Sequence, residues 1–171
     1  MTATTLPAPL WRRLIAAVYD GLLLLGIVFT IALLDFVVLN KLLGLPTRGW
    51  LGPMLFLAGL SFFGWFWTHG GQTLGMRAWR LRVRRLDGLP LRWPVAAVRY
   101  AAMMAVWLAL PIALALLYVP RFSQAHPHAE LFSILTISLL VCALLFSRLD
   151  ARRRAPQDWI SGSEVVVEPK V

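Results

Sequence analysis

Four apolar stretches dominate the chain, at roughly residues 14–39, 50–67, 100–119 and 131–147, with polar segments between them. A bilayer core takes about 20 mostly apolar residues per helix, so each stretch reads as a membrane span. The first is longer than a core of about 30 Å needs and should tilt or protrude. The second is short. Pro111, in the middle of the third, should kink it. The first stretch follows Arg12 and Arg13 as a signal peptide would. Asp20 interrupts it, however, the run is too long, and no clear cleavage site follows, so it reads as an uncleaved first span.

The segment at residues 68–99 has a different period. In "AWRLRVRR", Trp79, Leu81 and Val83 alternate with Arg80, Arg82 and Arg84, which argues for a strand. "DG" at Asp87 and Gly88 then marks a tight turn. "LPLRW" would return as a second arm with Leu89, Leu91 and Trp93 on one face and Pro90 confining it to a sheet edge. The expectation is a hairpin at headgroup level, with "SEVVVE" of the tail as a third strand. A basic amphipathic helix is the alternative. The fold class is thus an all-α membrane protein with four transmembrane helices and a small β-hairpin or sheet element. A disordered N-terminus (residues 1–10) precedes a single membrane domain (residues 11–168), and residues 148–171 form the tail.

Composition agrees: 59% of residues are hydrophobic and 15% charged, against about 45–50% and about 25% in soluble domains. Charge adds orientation. Of 17 Lys and Arg, only Lys41, Arg48 and Arg121 fall in the loops after the first and third spans. The positive-inside rule therefore puts both termini and the central loop in the cytoplasm of a cell (inner) membrane protein. The net charge of +9 flanks apolar runs, so anionic headgroups of the bilayer are expected partners rather than nucleic acid, for which no motif is present. The aromatic run Phe62, Phe63, Trp65, Phe66 and Trp67 reads as lipid-facing anchors at the interface. The single cysteine, Cys142, lies in "ISLLVCALLF", reads as helix packing, and excludes an intramolecular disulfide.

Asp20 is the residue that composition does not explain. It lies about 9 Å into the first span, where an ionised carboxylate costs roughly 2.5–3.5 kcal/mol. Arg13 is two turns away on the same face, about 10.5 Å along the axis, and leans away from it. A direct bridge is not expected; both should face a third element. Arg99, opening the third span on the same side, is the expected partner of Asp20, or else another loop arginine. Asp35, about 22 Å further along, should hydrate at the outer interface. Asp158 should cap a turn or bridge to the arginine-rich loop.

Three pieces of sequence carry a resemblance. "WRRLIAAVYDGLLL", "GQTLGMRAWRLRVRRLDGLPLRW" and "APQDWISGSEVVV" occur in that order, and together they resemble the RDD family of small membrane proteins. That family is named for one arginine and two aspartates, and the resemblance implies that Arg13, Asp20 and Asp158 are these residues. The chain departs from the family at Met76, where a lysine is common, and at Gln157, where a histidine is common. The resemblance implies transport of an unidentified small ligand or ion.

Gly71, Gln72, Thr73 and Gly75 in "GGQTLGM" are read either as an anion-binding nest or as a tight turn; the Gly-Lys-Ser/Thr of a phosphate loop is missing. His69, His126 and His128 do not have metal-ligand spacing, and no Ser-His-Asp order or nucleophile elbow is present. No enzyme activity, metal or cofactor is expected. Two functions remain: transport through an Asp20 site, as a homo-oligomer or with a partner membrane protein, or a non-catalytic scaffold recruiting a partner or anionic lipid to its cationic face.

Overall fold

The computed structural model describes residues 6–45, 49–120 and 127–169. Arg48, Arg121, His126 and Lys170, used in the reading of charge and histidine spacing, lie outside these residues. The elements are β1 (Leu6–Pro7), α1 (Leu10–Leu34) continued by a π-helical segment (Asp35–Leu42), α2 (Leu51–His69), α3 (Leu74–Ala78), β2 (Leu81–Arg85), α4 (Trp93–Tyr118), α5 (Ala129–Leu149), α6 (Pro156–Ile160) and β3 (Ser163–Val167).

Four helices are long and apolar enough to cross a membrane: Leu10–Leu42, Leu51–His69, Trp93–Tyr118 and Ala129–Leu149. Most of their apolar side chains point outward. Leu22, Leu25 and Phe29 of α1 are 64%, 63% and 66% exposed, which suits a lipid surround and would be ruinous in water. One stripe of α1 turns inward. Ala16, Asp20 and Asp35 are buried on it, with half-buried Leu24, Ile27, Val28, Ile31 and Ala32 between them. The spacing of three or four residues is that of one helix face.

α4 begins earlier than the hydrophobic run suggested. Pro94 stands in its first turn, where a missing N–H costs nothing, and the helix continues through Pro111. Arg99 therefore lies inside α4 rather than in the loop.

The β element differs from the expected hairpin. β2 forms where the alternation placed it, with Leu81 and Val83 buried and Arg82 exposed. Its partner is the tail strand β3, antiparallel, with Val83 opposite Val165. After the Asp87–Gly88 turn the chain forms no return strand. Pro90 cannot donate to a ladder, and Trp93 already starts α4. Only Leu91 of that arm is buried, whereas Leu89 and Trp93 are exposed. The third strand comes instead from the N-terminus: Leu6 and Pro7 pair with Val167 and Val166, giving the order β1-β3-β2. The expected disorder of residues 1–10 is thus corrected from Leu6 onward; residues 1–5 lie outside the described part. β3 carries the tail's apolar run "VVV" into the centre of the sheet, so both neighbours add to it.

The sheet draws the N-terminus, the central segment and the tail to one end of the helices. The aromatic run of α2 packs there too. Phe63 and Trp67 are buried and stacked on each other at 5.0 Å, and Phe63 meets Tyr100 at 5.8 Å. The lipid-anchor reading fails for these two rings because they face α4. Trp65, 57% exposed, retains the lipid-facing position.

Gly71 joins α2 to this layer with φ +71°, and a Cβ there would lie 2.4 Å from the Val83 carbonyl oxygen. That carbonyl belongs to backbone already tied to Gly71, since Val83 N–H donates to Gly71 O at 2.7 Å. Gly71→Ala should combine left-handed strain with overpacking, about 1–3 kcal/mol in total. A thermal melt in detergent should show a lower midpoint with the helix content unchanged.

Candidate functional site

The charged residues of the three motifs form two separate arrangements at the sheet end of the bundle. The first centres on Asp158, whose side chain is fully buried in α6. Its carboxylate pairs with Arg13 of α1 through Oδ2, and with Arg99 of α4 through Oδ1 at 2.5 Å. Ala155 N–H donates to Oδ2 at 2.8 Å, so the same carboxylate caps the first turn of α6. The surrounding groups fix the two guanidiniums. Arg13 donates to the Arg153 carbonyl at 2.7 Å. Arg99 donates to Ser163 Oγ of β3 and lies over the Trp67 ring at 5.0 Å. One carboxylate thus joins spans one and three to the tail. Burial alone would push the Asp158 carboxyl up; Arg99, then Arg13 and the Ala155 N–H, outweigh it and hold it below the ordinary carboxylate value.

The second arrangement centres on Asp20, and it corrects the expectation that Asp20 meets Arg99. Arg99 is taken by Asp158, and among the described residues no ion pair joins Asp20. Its partners are neutral: Thr73 Oγ1 donates to Oδ2 at 2.5 Å and Gly75 N–H donates to Oδ1 at 2.9 Å. Thr73 is also the N-cap of α3, accepting from Met76 N–H at 3.2 Å. The approach is close because residue 75 has no side chain: a Cβ there would fall 2.3 Å from the Ala16 carbonyl oxygen of α1. Both readings of "GGQTLGM" have a place here. Gly71 makes the turn, and the anion received by Thr73 and Gly75 is the protein's own carboxylate. Gln72 ties the turn to the sheet through Leu81 O at 2.9 Å and Glu168 Oε2 at 3.1 Å.

Arg13 and Asp20 do not touch, as their axial separation required: they hold different parts of the same layer. Asp35 contradicts expectation. It is only 5% exposed, and its Oδ1 is buried without a hydrogen-bond partner. The residue that should hydrate at the far interface instead points into the bundle, on the stripe that carries Asp20. Among the described residues, no group of three or more His, Cys, Asp or Glu could hold a metal ion.

Ser163 and Tyr100 were not singled out by sequence reasoning, and Trp67 was read only as a lipid-facing anchor. The Thr73 cap could have been found, since a threonine preceding a short apolar helical turn is an N-cap signal.

No curated protein and no solved structure matches the chain. The pattern of the RDD family matches residues 7–162, taking in Arg13, Asp20, the Thr73–Gly75 turn and Asp158. With its charged motif residues tying the first and third of four candidate spans to one small sheet, the chain belongs to the RDD family.

Proposed function

We propose that this protein moves protons or a small cation across the cell membrane, with both termini in the cytoplasm, and that the inward stripe of α1 carries the exchange. The supporting observation is that two carboxylates, Asp20 and Asp35, are buried at opposite ends of that stripe, and no ion pair joins either among the described residues. A carboxylate buried without a cationic partner is costly to keep ionised inside a membrane. The Arg13–Asp158–Arg99 cluster is the fastener, not the carrier, because its carboxylate is already neutralised by two cations.

Asp20 gives the exchange a mechanical consequence. Its two donors, Thr73 O–H and Gly75 N–H, favour the anion. When the carboxylate takes up a proton its oxygens accept more weakly, and the α1–α3 contact loosens. Occupancy of Asp20 is thereby coupled to the turn that leads into the sheet. Four short helices enclose little room, so a homo-oligomer is part of this reading.

The competing reading is a non-catalytic scaffold. It is supported by the Asp158 cluster, in which two motif residues and Arg99 pair with one another. Purified protein in proteoliposomes separates the two. A screen over protons and monovalent cations should give flux for the native chain. Asp20→Asn and Asp35→Asn should insert and fold but lose most of that flux. Undiminished flux in both variants, or none from the native chain, would leave the scaffold.

A further inference from the structure

A cleft of about 420 Å³ opens at the sheet end of the molecule, between the first turns of α1 and the last turn of α5. Its apolar wall is Leu10, Trp11 and Leu14, and Arg148 and Arg153 border it on the other side. Trp11 and Leu14 are about half exposed, at 51% and 52%. The cleft thus has an oily wall continuous with the outward surface of a membrane span and a rim of two guanidiniums.

The backbone of Arg153 is held in place at this rim. Arg153 adopts φ +50°, an unusual backbone for a residue with a side chain. It is held there by its N–H to the Asp150 carbonyl at 2.9 Å and by the Arg13 guanidinium on its own carbonyl. Neither Arg148 nor Arg153 is in an ion pair among the described residues. Asp150 is engaged with Arg154 at 3.1 Å, Glu164 with Arg84 at 2.9 Å, and Asp158 with Arg13 and Arg99. The wall is packed as well: Trp11 meets Trp79 edge-on at 5.5 Å and Arg12 lies against its ring at 5.2 Å.

We infer that this cleft is a site for one anionic phospholipid. Its phosphate would be held by Arg148 and Arg153, and the start of its acyl chains would lie along Trp11 and Leu14. Charge complementarity selects the headgroup, because two guanidiniums without a carboxylate favour bidentate phosphate contacts. The apolar wall selects a lipid over a soluble phosphate. A basic pocket beside membrane helices at their cytoplasmic ends is the expected form of such a site. The site is independent of the transport reading: it uses neither Asp20 nor Asp35. It also bears on the fastener, because the Arg153 carbonyl is one of the ligands that fix Arg13.

Native mass spectrometry of the full chain, titrated with phosphatidylglycerol or phosphatidylcholine, tests this. The native protein should retain one phosphatidylglycerol at concentrations where phosphatidylcholine is not retained, and excess inorganic phosphate should not displace it. The double variant Arg148→Ala/Arg153→Ala should weaken retention roughly tenfold or more. Arg77→Ala/Arg92→Ala, which removes equal charge elsewhere on the same end, should retain the lipid as the native chain does. Should the first pair compromise folding, Arg148→Ala alone, which leaves the Arg13 contact intact, should still weaken retention several-fold relative to Arg92→Ala alone. Equal loss in the site and control variants would show diffuse attraction and overturn the proposal. So would displacement by inorganic phosphate, or equal retention of the two lipids.

Discussion

Asp158→Asn should be the most damaging single substitution in the chain. It leaves the shape of α6 nearly unchanged and removes one negative charge. Arg13 and Arg99, with side chains only 11% and 5% exposed, would then face each other across an amide. Removing one partner of a buried ion pair costs about 3–5 kcal/mol because the other charge is stranded, and here two charges are stranded. At about 2–4 °C per kcal/mol for a chain of this size, the melting midpoint in detergent should fall by roughly 6–20 °C. Arg13→Met should cost less, since Arg99 still neutralises the carboxylate. Arg99→Met should fall between them, because it also gives up Ser163 and the Trp67 face.

The same cluster sets an acid limit. Because the Asp158 carboxyl is held below its ordinary value in the folded protein, the unfolded chain binds the proton more readily. The stabilisation is fully present above the unfolded value of about 3.9 and is lost as the pH falls through the lower folded value. Melts of the native chain should therefore be flat near neutrality and weaken in the acid range. The Asp158→Asn variant should lose much of that acid dependence.

Gly75→Ala should have the second largest effect. The added methyl carbon would lie 2.3 Å from the Ala16 carbonyl oxygen and 3.0 Å from both Asp20 Oδ1 and Tyr19 Cβ. Two of these three atoms cannot be moved by a rotamer change. α3 must back away from α1, which breaks the Gly75 N–H bond to Asp20 and strains the Thr73 bond. Overpacking of this kind costs about 1–3 kcal/mol, and a buried carboxylate losing a donor adds roughly 1–3 kcal/mol. Gly64→Ala is a useful contrast. Its Cβ would meet only the Trp93 ring, at 2.5 Å. That side chain is 46% exposed and can swing away, so the loss should be smaller.

The spans were legible because a bilayer imposes one strong rule on composition, and the period-two run in β2 was legible because Leu81 and Val83 must point one way. The partner choice was not. Nothing local in "LPLRW" forbids a return strand outright; Pro90 and the early start of α4 at Trp93 decide it, and β3 and β1 supply the ladder from opposite ends of the chain. Likewise, the depth of Asp20 correctly demanded a partner, but charge alone suggested an arginine. A buried carboxylate is also satisfied by neutral donors, and Thr73 with Gly75 provides two. For Asp35, axial distance gave the right end of the span but no azimuth. Only the stripe from Ala16 through Leu24 and Ile31 shows that it faces inward.

On the proposed reading the two acidic motif residues have different tasks: Asp158 fastens the sheet to the spans, and Asp20 exchanges an ion. Flux and melting midpoint measured on the same reconstituted preparations of Asp20→Asn and Asp158→Asn test it most directly. Asp20→Asn should melt within a few degrees of the native chain and lose its flux, while Asp158→Asn should melt far lower and keep flux in proportion to the protein that remains folded. Native flux from folded Asp20→Asn would contradict it.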